Sequence, residues 1–205
     1  MFGDFSWQWM PIEPGSAAST LEPWASFARA KQQIDIGDSS AAIQTLRSIV
    51  DTPNLESRQY LQAWHFLREL GVEPGPDQAK TLLGVVVEVG MPNGLDLVAA
   101  WPDHHARYYN FSGAGVVWER PNDSLDKAID DLLNVGLPVL RAIGPWKQKR
   151  PNEPTKDAVR INLLSPSGLH FGEGPMNLLS RDPMGGPVIA AATRLMQALI
   201  ALTKK

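Results

Sequence analysis

Five polar side chains between residues 88 and 170 are of the types that acid–base catalysis uses: Glu88, Asp96, Arg107, Arg160 and His170. Two carboxylates on one sheet face, here Glu88 and Asp96, can do acid–base work when desolvation raises the pKa of one of them. With the arginines and the histidine, they could form the cleft site of a small hydrolase or isomerase. The alternative is an ordinary ion-pair cluster, in which the carboxylates pair with Arg107 and Arg160.

The histidine of this set leads into a glycine-rich segment, His170-Phe171-Gly172-Glu173-Gly174-Pro175. Glycine at 172 and 174 predicts a kink or a close approach of another backbone or a ligand. Alternation predicts that Arg160, Asn162 and His170 share one strand face, where they could bind an anionic group. The alternative is that this face lies at the sheet edge and is simply exposed to solvent.

Three histidines, His104, His105 and His170, could bind zinc or iron if Asp103 or Glu173 completed the ligand set. Adjacent residues of an extended chain point to opposite faces, so His104 and His105 do not converge without a special turn. Cysteine is absent, which excludes thiolate ligands and a cysteine nucleophile. The sequence therefore predicts no metal site and no cofactor, with His104 and His105 as solvated turn residues.

The glycine-rich stretch Asn110–Gly115 fits neither a serine nucleophile motif nor a nucleotide-binding loop. It lacks the G-x-S-x-G spacing, and the residues after it continue as a strand instead of the helix that a phosphate loop requires. Nucleotide binding through a known loop is not predicted.

Seven tryptophans are a high number for 205 residues. The patterns around Trp24, Trp64, Trp101 and Trp118 predict burial, whereas the other three lie in predicted loops, where exposed tryptophan is typical of protein interfaces. The alternatives are an aromatic tail docked on the protein's own surface and a solubilising loop with Trp146 tucked beneath it. The residues predicted to bind a partner are Trp7, Trp9, Trp146, Lys147 and Arg150.

The elements that carry these residues begin with an aromatic tail, residues 1–20, and a helical segment, residues 21–71. Pro23 suits the first turn of a helix, Gly37 ends that helix, and Asp38 can cap the next one. A third helix is predicted before the segment ends.

Part of this helical segment resembles a known repeat. Gly37-Asp38, Ala42, Leu46, Ile49 and Pro53 are similar to the second half of a tetratricopeptide repeat. The first-helix signature of the repeat is missing and no second copy follows, so the resemblance implies a helical hairpin.

From residue 82 the pattern changes to strands. Leu82–Val89 is nearly continuously apolar, which indicates a strand buried on both faces. Met91-Pro92-Asn93-Gly94 predicts a three-residue hairpin loop, in which a type I turn precedes a glycine bulge and Met91 faces Leu95. Glu88 would then lie on the opposite face, one diagonal step from Asp96. The apolar face would comprise Val85, Val87, Val89, Leu97, Ala99 and Trp101.

The segment Ser165-Pro166-Ser167-Gly168 repeats this turn pattern near the C-terminus. The same loop would pair Ser165 with Leu169 and Leu163 with Phe171, leaving His170 on the face opposite to Phe171. The apolar face would comprise Val159, Ile161, Leu163, Leu169 and Phe171.

Strands at Ala106–Ser112 and Val116–Glu119 would complete a meander, and helices are predicted over Ser124–Val135 and Val188–Leu202. The expected fold class is α+β. An antiparallel sheet of about five to six strands, a meander plus a C-terminal hairpin, packs with the N-terminal helical segment and two further helices. The sheet region would span residues 72–205, all within one globular unit.

Two other segments, Leu70–Trp118 and Arg160–Gly174, are similar to bacterial proteins of a family of unknown function. That resemblance implies a bacterial protein and supplies no activity, cofactor or catalytic residue.

The composition limits the classes of partner and the cellular compartment that we expect for this protein. The net charge of −3 creates no field that draws the chain toward nucleic acid or anionic lipid. Residues 1–11 carry Asp4 and no lysine, arginine or long apolar stretch, so no signal peptide is predicted. The most apolar stretch, Pro187–Thr203, is interrupted by Arg194 and Gln197, so no membrane span is predicted. We therefore expect a cytoplasmic protein.

Two classes of function fit these observations. The first is a non-catalytic binding protein that contacts a protein partner or a second copy, such as an adaptor, a regulatory protein or an immunity-type inhibitor. The second is a small hydrolase or isomerase. Convergence of the five polar side chains in a closed pocket would favour the enzyme, and pairing them off on separate partners would favour binding.

Overall fold

The computed structural model describes residues 1–9 and 20–203, and the chain divides into two compact units, Met1–Thr81 and Leu82–Lys205. The described residues form seven α-helices and one antiparallel sheet of six strands. This confirms the predicted α+β class, with a meander and a C-terminal hairpin in one sheet.

Helices make up the first unit. Its core is formed by apolar side chains from three of them, including the fully buried Phe27, Leu46 and Phe66. The helices are α1 (Trp24–Asp35), α2 (Ser39–Asp51), α3 (Ser57–Glu69) and the short α4 (Pro76–Ala79).

Local capping explains where these helices begin. Asp38 caps α2 as predicted, because its carboxylate accepts a hydrogen bond from Ala41 N over 2.9 Å. Glu56 and Gln59 form a capping box at the start of α3, which satisfies two backbone donors that would otherwise lack partners.

The sheet belongs to the second unit, and its strand order is β4-β3-β2-β1-β5-β6. The four meander strands lie in sequence order, and the C-terminal hairpin joins the sheet beside β1. The strands are β1 (Gly84–Met91), β2 (Gly94–Ala100), β3 (Ala106–Tyr109), β4 (Gly115–Trp118), β5 (Ala158–Ser165) and β6 (Gly168–Pro175).

Helices cover one face of this sheet. The helices of the second unit are α5 (Asp126–Ala142), α6 (Met176–Leu179) and α7 (Gly185–Leu202). Leu132 of α5 and Leu195 of α7 are buried in one core with inward residues of β1 and β5. We call this the helix face of the sheet; its central strands contribute Val85, Val87, Ile161 and Leu163.

The first hairpin has a shorter loop than predicted. Met91 pairs with Gly94, not with Leu95, so only Pro92 and Asn93 form the loop. The predicted register was therefore wrong by one residue, and Glu88 lies opposite Leu97. Because both faces of β1 are buried, the hydrophobic pattern does not choose between the two registers, and the turn length alone decides.

The second hairpin departs from the prediction in the same way. Ser165 pairs with Gly168, Leu163 with His170, and Asn162 with Phe171. His170 therefore lies on the helix face, and Phe171 takes the place beside Asn162 that was predicted for the histidine.

Among the described residues, only α7 is long and apolar enough to cross a membrane by length and composition. Its Val188, Leu195 and Leu199 are buried in the core with α5 and the sheet, while Arg194 is exposed. One face of α7 therefore packs in the core of the second unit.

Candidate functional site

A buried arginine occupies the face of the sheet opposite to the helix face. Arg160 of β5 lies across from Glu88 of β1 on one side and from Glu173 of β6 on the other. Only 3% of its side chain is exposed. A buried guanidinium is tolerated when it is paired with carboxylates and its donors are hydrogen bonded, and both conditions hold here.

The strongest contacts of Arg160 are with Glu173 and with a backbone carbonyl. Its Nε and Nη2 lie 2.7 and 2.6 Å from Oε2 of Glu173, and Nη2 also donates to the carbonyl oxygen of Asn152 over 2.6 Å. Nη1 has longer contacts, 3.4 Å to the carbonyl oxygen of Pro151 and 3.5 Å to Oε2 of Glu88. The guanidinium thus joins two strands to residues 151–152.

An amide and an aromatic ring complete the surroundings of the guanidinium. Asn162 Nδ2 donates to Glu88 Oε2 over 2.9 Å and to the carbonyl oxygen of Val86 over 3.0 Å. Its Oδ1 has no hydrogen-bond partner among the described residues. Arg160 Cζ lies 5.4 Å from the centroid of the Phe171 ring, within cation–π range. We call Glu88, Arg160, Asn162 and Glu173 the Arg160 cluster.

The residues that the Arg160 cluster binds belong to one connecting segment. We call residues 144–157, between α5 and β5, the strap. Arg160 binds the main chain of the strap at Pro151 and Asn152. Near the start of the strap, Trp146 N donates to the carbonyl oxygen of Leu169 over 2.6 Å. These bonds hold the strap by its backbone.

The end of the strap passes close to a glycine of β1. Asp157 N donates to the carbonyl oxygen of Gly90 over 3.0 Å, and a side chain at Gly90 would collide with the carbonyl oxygens of Pro154 and Thr155. Glycine at this position therefore permits the strap to lie directly on the strand.

Trp146 is the residue of the exposed part of the strap whose side chain packs on the sheet. Its ring meets Phe171 edge-on, with centroids 5.1 Å apart, and its Nε1 donates to the carbonyl oxygen of Lys149 over 3.1 Å. The residue remains 39% exposed. Residues 147–150 are all exposed, so the part of the strap that was predicted to bind a partner faces solvent.

His170 does not join this cluster; the predicted patch of Arg160, Asn162 and His170 was wrong because of the register. Its Nδ1 lies 3.2 Å from the carbonyl oxygen of Ile143, which can only accept, so Nδ1 carries a proton; in the neutral imidazole Nε2 is then an acceptor. Nε2 lies 3.0 Å from Ser167 Oγ and 3.2 Å from Ser165 Oγ. A serine, a histidine and a fixed carbonyl in this order are the elements of nucleophile activation, but His170 is fully buried.

The two other polar candidates have partners of their own. Asp96 accepts from Tyr108 Oη over 3.2 Å and from Phe111 N over 2.9 Å, and it lies on the face opposite to Glu88. The predicted pairing of Glu88 with Asp96 was therefore wrong. Burial, together with the charge and hydrogen bond of Asp96, raises the pKa of Tyr108. Arg107 Nη2 pairs with Glu119 Oε1 at 3.0 Å.

The two adjacent histidines lie in separate networks of polar side chains. His104 Nε2 is 3.0 Å from Asp130 Oδ1, and His105 Nε2 is 3.6 Å from Glu119 Oε2. Residues 1–9 and 20–203 contain no group of three or more His, Asp or Glu side chains that could hold a metal ion. We call the two networks the histidine rim; it comprises Asp103, His104, His105, Arg107, Glu119, Arg120, Asp126 and Asp130.

Trp7 lies in the first unit, where its ring stacks on Phe66 with centroids 3.5 Å apart. Gln62 forms two hydrogen bonds with the backbone of Phe5 nearby. The start of the tail therefore docks on α3. This matches the alternative in which the aromatic tail packs on the protein's own surface. The side chain of Trp9 lies outside the described residues, and partner binding by Trp7 and Trp9 stays a prediction.

Sequence reasoning named every charged member of the Arg160 cluster but missed what the arginine binds. The missing partners are the carbonyl groups of residues 151 and 152, which carry no side-chain signal, and the Phe171 ring, which the wrong register had moved away. The run of prolines and lysines between α5 and β5 was the only signal that this segment has a defined path.

Comparisons of the chain with protein-family models, with curated proteins and with solved structures find no match. Function is therefore inferred from the geometry of the described residues.

Proposed function

We propose that the chain is a cytoplasmic, non-catalytic binding protein that contacts another protein through residues 146–150 of the strap. The observation that carries the proposal is how the strap is fastened. Arg160 and Leu169 bind its main chain, while residues 147–150 are exposed and Trp146, whose ring meets Phe171, is 39% exposed. A segment with a fixed backbone and outward side chains loses little conformational entropy on binding.

The pairing of the five polar candidates supports the same class of function. Glu88 and Arg160 share one buried cluster, Asp96 binds Tyr108, Arg107 binds Glu119, and His170 binds two serines. They satisfy separate partners, which is the outcome that favours binding over catalysis.

The proposal is tested by replacing Trp146 with alanine and measuring which proteins co-purify with the chain from its native host. Trp24 is the matched control, since its exposure of 37% is close to that of Trp146. We expect a partner that is captured by the wild type and by Trp24→Ala and is lost with Trp146→Ala. Identical sets of captured proteins for all three chains would contradict a role for the strap.

A small hydrolase is the second candidate, favoured by the contact of 3.0 Å between Ser167 Oγ and His170 Nε2. A fluorophosphonate probe reacts with a serine whose proton a histidine can take. An adduct on Ser167 that disappears in Ser167→Ala and in His170→Gln would favour the hydrolase. Binding without catalysis predicts an unlabelled protein.

A further inference from the structure

The strap differs in charge from the rest of the chain. Its residues 144–157 contain four cations and two carboxylates, whereas the whole chain has a net charge of −3. Three of the cations, Lys147, Lys149 and Arg150, lie within four residues of Trp146. The exposed tryptophan is therefore set in a locally positive surface.

Two of these cations are not paired with a carboxylate in the part of the chain that the structure describes. Lys147 and Lys149 are exposed, and neither forms an ion pair with any residue of 1–9 or 20–203. By contrast, the arginines of the histidine rim pair with Glu119 and Asp126 at 3.0 and 2.8 Å. Positive charge that has no internal partner is available to an external one.

The combination indicates which external partner fits. Tryptophan and arginine are the residues most enriched at the centres of protein interfaces. Nucleic-acid binding depends on neutralising many phosphates, which a few cations on a chain of net negative charge do poorly. Resting on the proposed function, we infer that the partner is a different protein that presents an acidic surface, with an apolar depression that takes the Trp146 ring and carboxylates that meet Lys147 and Lys149.

Photo-crosslinking tests this inference. A benzophenone amino acid replaces Gln148, which is exposed between the two lysines and leaves Trp146 intact. We expect irradiation in the native host to crosslink one protein through a peptide that contains aspartate or glutamate. A crosslink to nucleic acid, to lipid, to a second copy or to a peptide without carboxylates would overturn the inference. The absence of any crosslink would overturn both it and the proposed function.

The crosslinked protein is then purified and titrated against the chain at 50 and 500 mM NaCl. The variant Lys147→Glu/Lys149→Glu is expected to bind at least about tenfold more weakly, and Arg194→Glu, an exposed charge reversal on α7, to bind within about twofold of the wild type. High salt is expected to weaken the wild-type complex and to affect the double variant less.

Trp146→Ala separates the two possible failures. If Trp146→Ala abolishes binding while the charge reversal has no effect, the strap binds a partner, but the inference that the partner presents an acidic surface is wrong. If neither variant changes the affinity, the proposed function fails with the inference.

Discussion

The Arg160 cluster and the histidine rim both contain arginine–carboxylate pairs, but they differ in burial. In the cluster, Arg160 and Glu88 are 3% and 4% exposed, and the guanidinium binds backbone as well as carboxylates. In the rim, the side chains are 17–54% exposed, and the ion pairs join two side chains. A buried charge depends on its partners, whereas an exposed one can exchange them for water.

The difference assigns the two regions different roles. Removing Arg107 of the rim leaves its partner Glu119 hydrated, because about half of the Glu119 side chain is exposed. Removing Arg160 leaves Glu88 buried beside an apolar sheet and frees the main chain of residues 151–152. The cluster therefore links the stability of the second unit to the position of the strap, and the rim does not.

The largest expected effect follows from removing the buried guanidinium. Arg160→Met should lower the free energy of unfolding by about 3–5 kcal/mol, because it leaves the buried carboxylate of Glu88 without its cationic partner. The rim counterpart, Arg107→Met, should lower it by less than about 1 kcal/mol. Urea unfolding of both variants measures this, and equal losses would remove the distinction between the two regions.

The close contact between strap and strand predicts a smaller effect. Gly90→Ala forces the carbonyl groups of Pro154 and Thr155 away, and it should cost about 1–3 kcal/mol. Trypsin should also cut faster after Lys147 and Lys149.

The matched control is Gly172→Ala, because a side chain there meets no atom within 4 Å. Mass spectrometry of timed digests measures the cleavage rates. The docking of the strap would be in doubt if both alanine variants were cut at the wild-type rate.

The smallest effect concerns the titration of the rim. The hydrogen bond from Arg120 holds the pKa of Asp126 below its ordinary value of 3.8. A carboxyl group with a lowered folded pKa contributes stability above its unfolded pKa, and that contribution is lost as the pH falls through the folded value.

Arg120→Met and 1 M NaCl should each raise the pKa of Asp126 toward 3.8, which NMR titration of the carboxyl carbon measures. The urea-unfolding penalty of Arg160→Met should change little with the same salt, since screening acts weakly on buried pairs. The comparison would be reversed if the pKa of Asp126 did not change with salt while the unfolding penalty of Arg160→Met did.

The sequence predicted the helices and strands better than it predicted the register in which the strands pair. The capping of α2 by Asp38 and the meander were predictable, because caps and turns depend on residues that are close together in the sequence. The register of the two hairpins was predicted wrongly, because a proline-led turn followed by glycine is typical of a three-residue loop, whereas both hairpins close with two-residue loops. A shift of one residue turned His170 to the helix face and brought Glu173 and Phe171 to Arg160.

The most direct test of the account measures the surroundings of Trp146 when the Arg160 cluster is broken. The protein is labelled with 5-fluorotryptophan, and the ¹⁹F resonance of Trp146 is assigned with Trp146→Phe. In Arg160→Met and in Gly90→Ala, both held under conditions where circular dichroism remains native, we expect this resonance to move toward the position of free 5-fluorotryptophan. In Arg107→Met it should stay in place. A Trp146 resonance that is unchanged in the first two variants would contradict the claim that the buried cluster positions the strap.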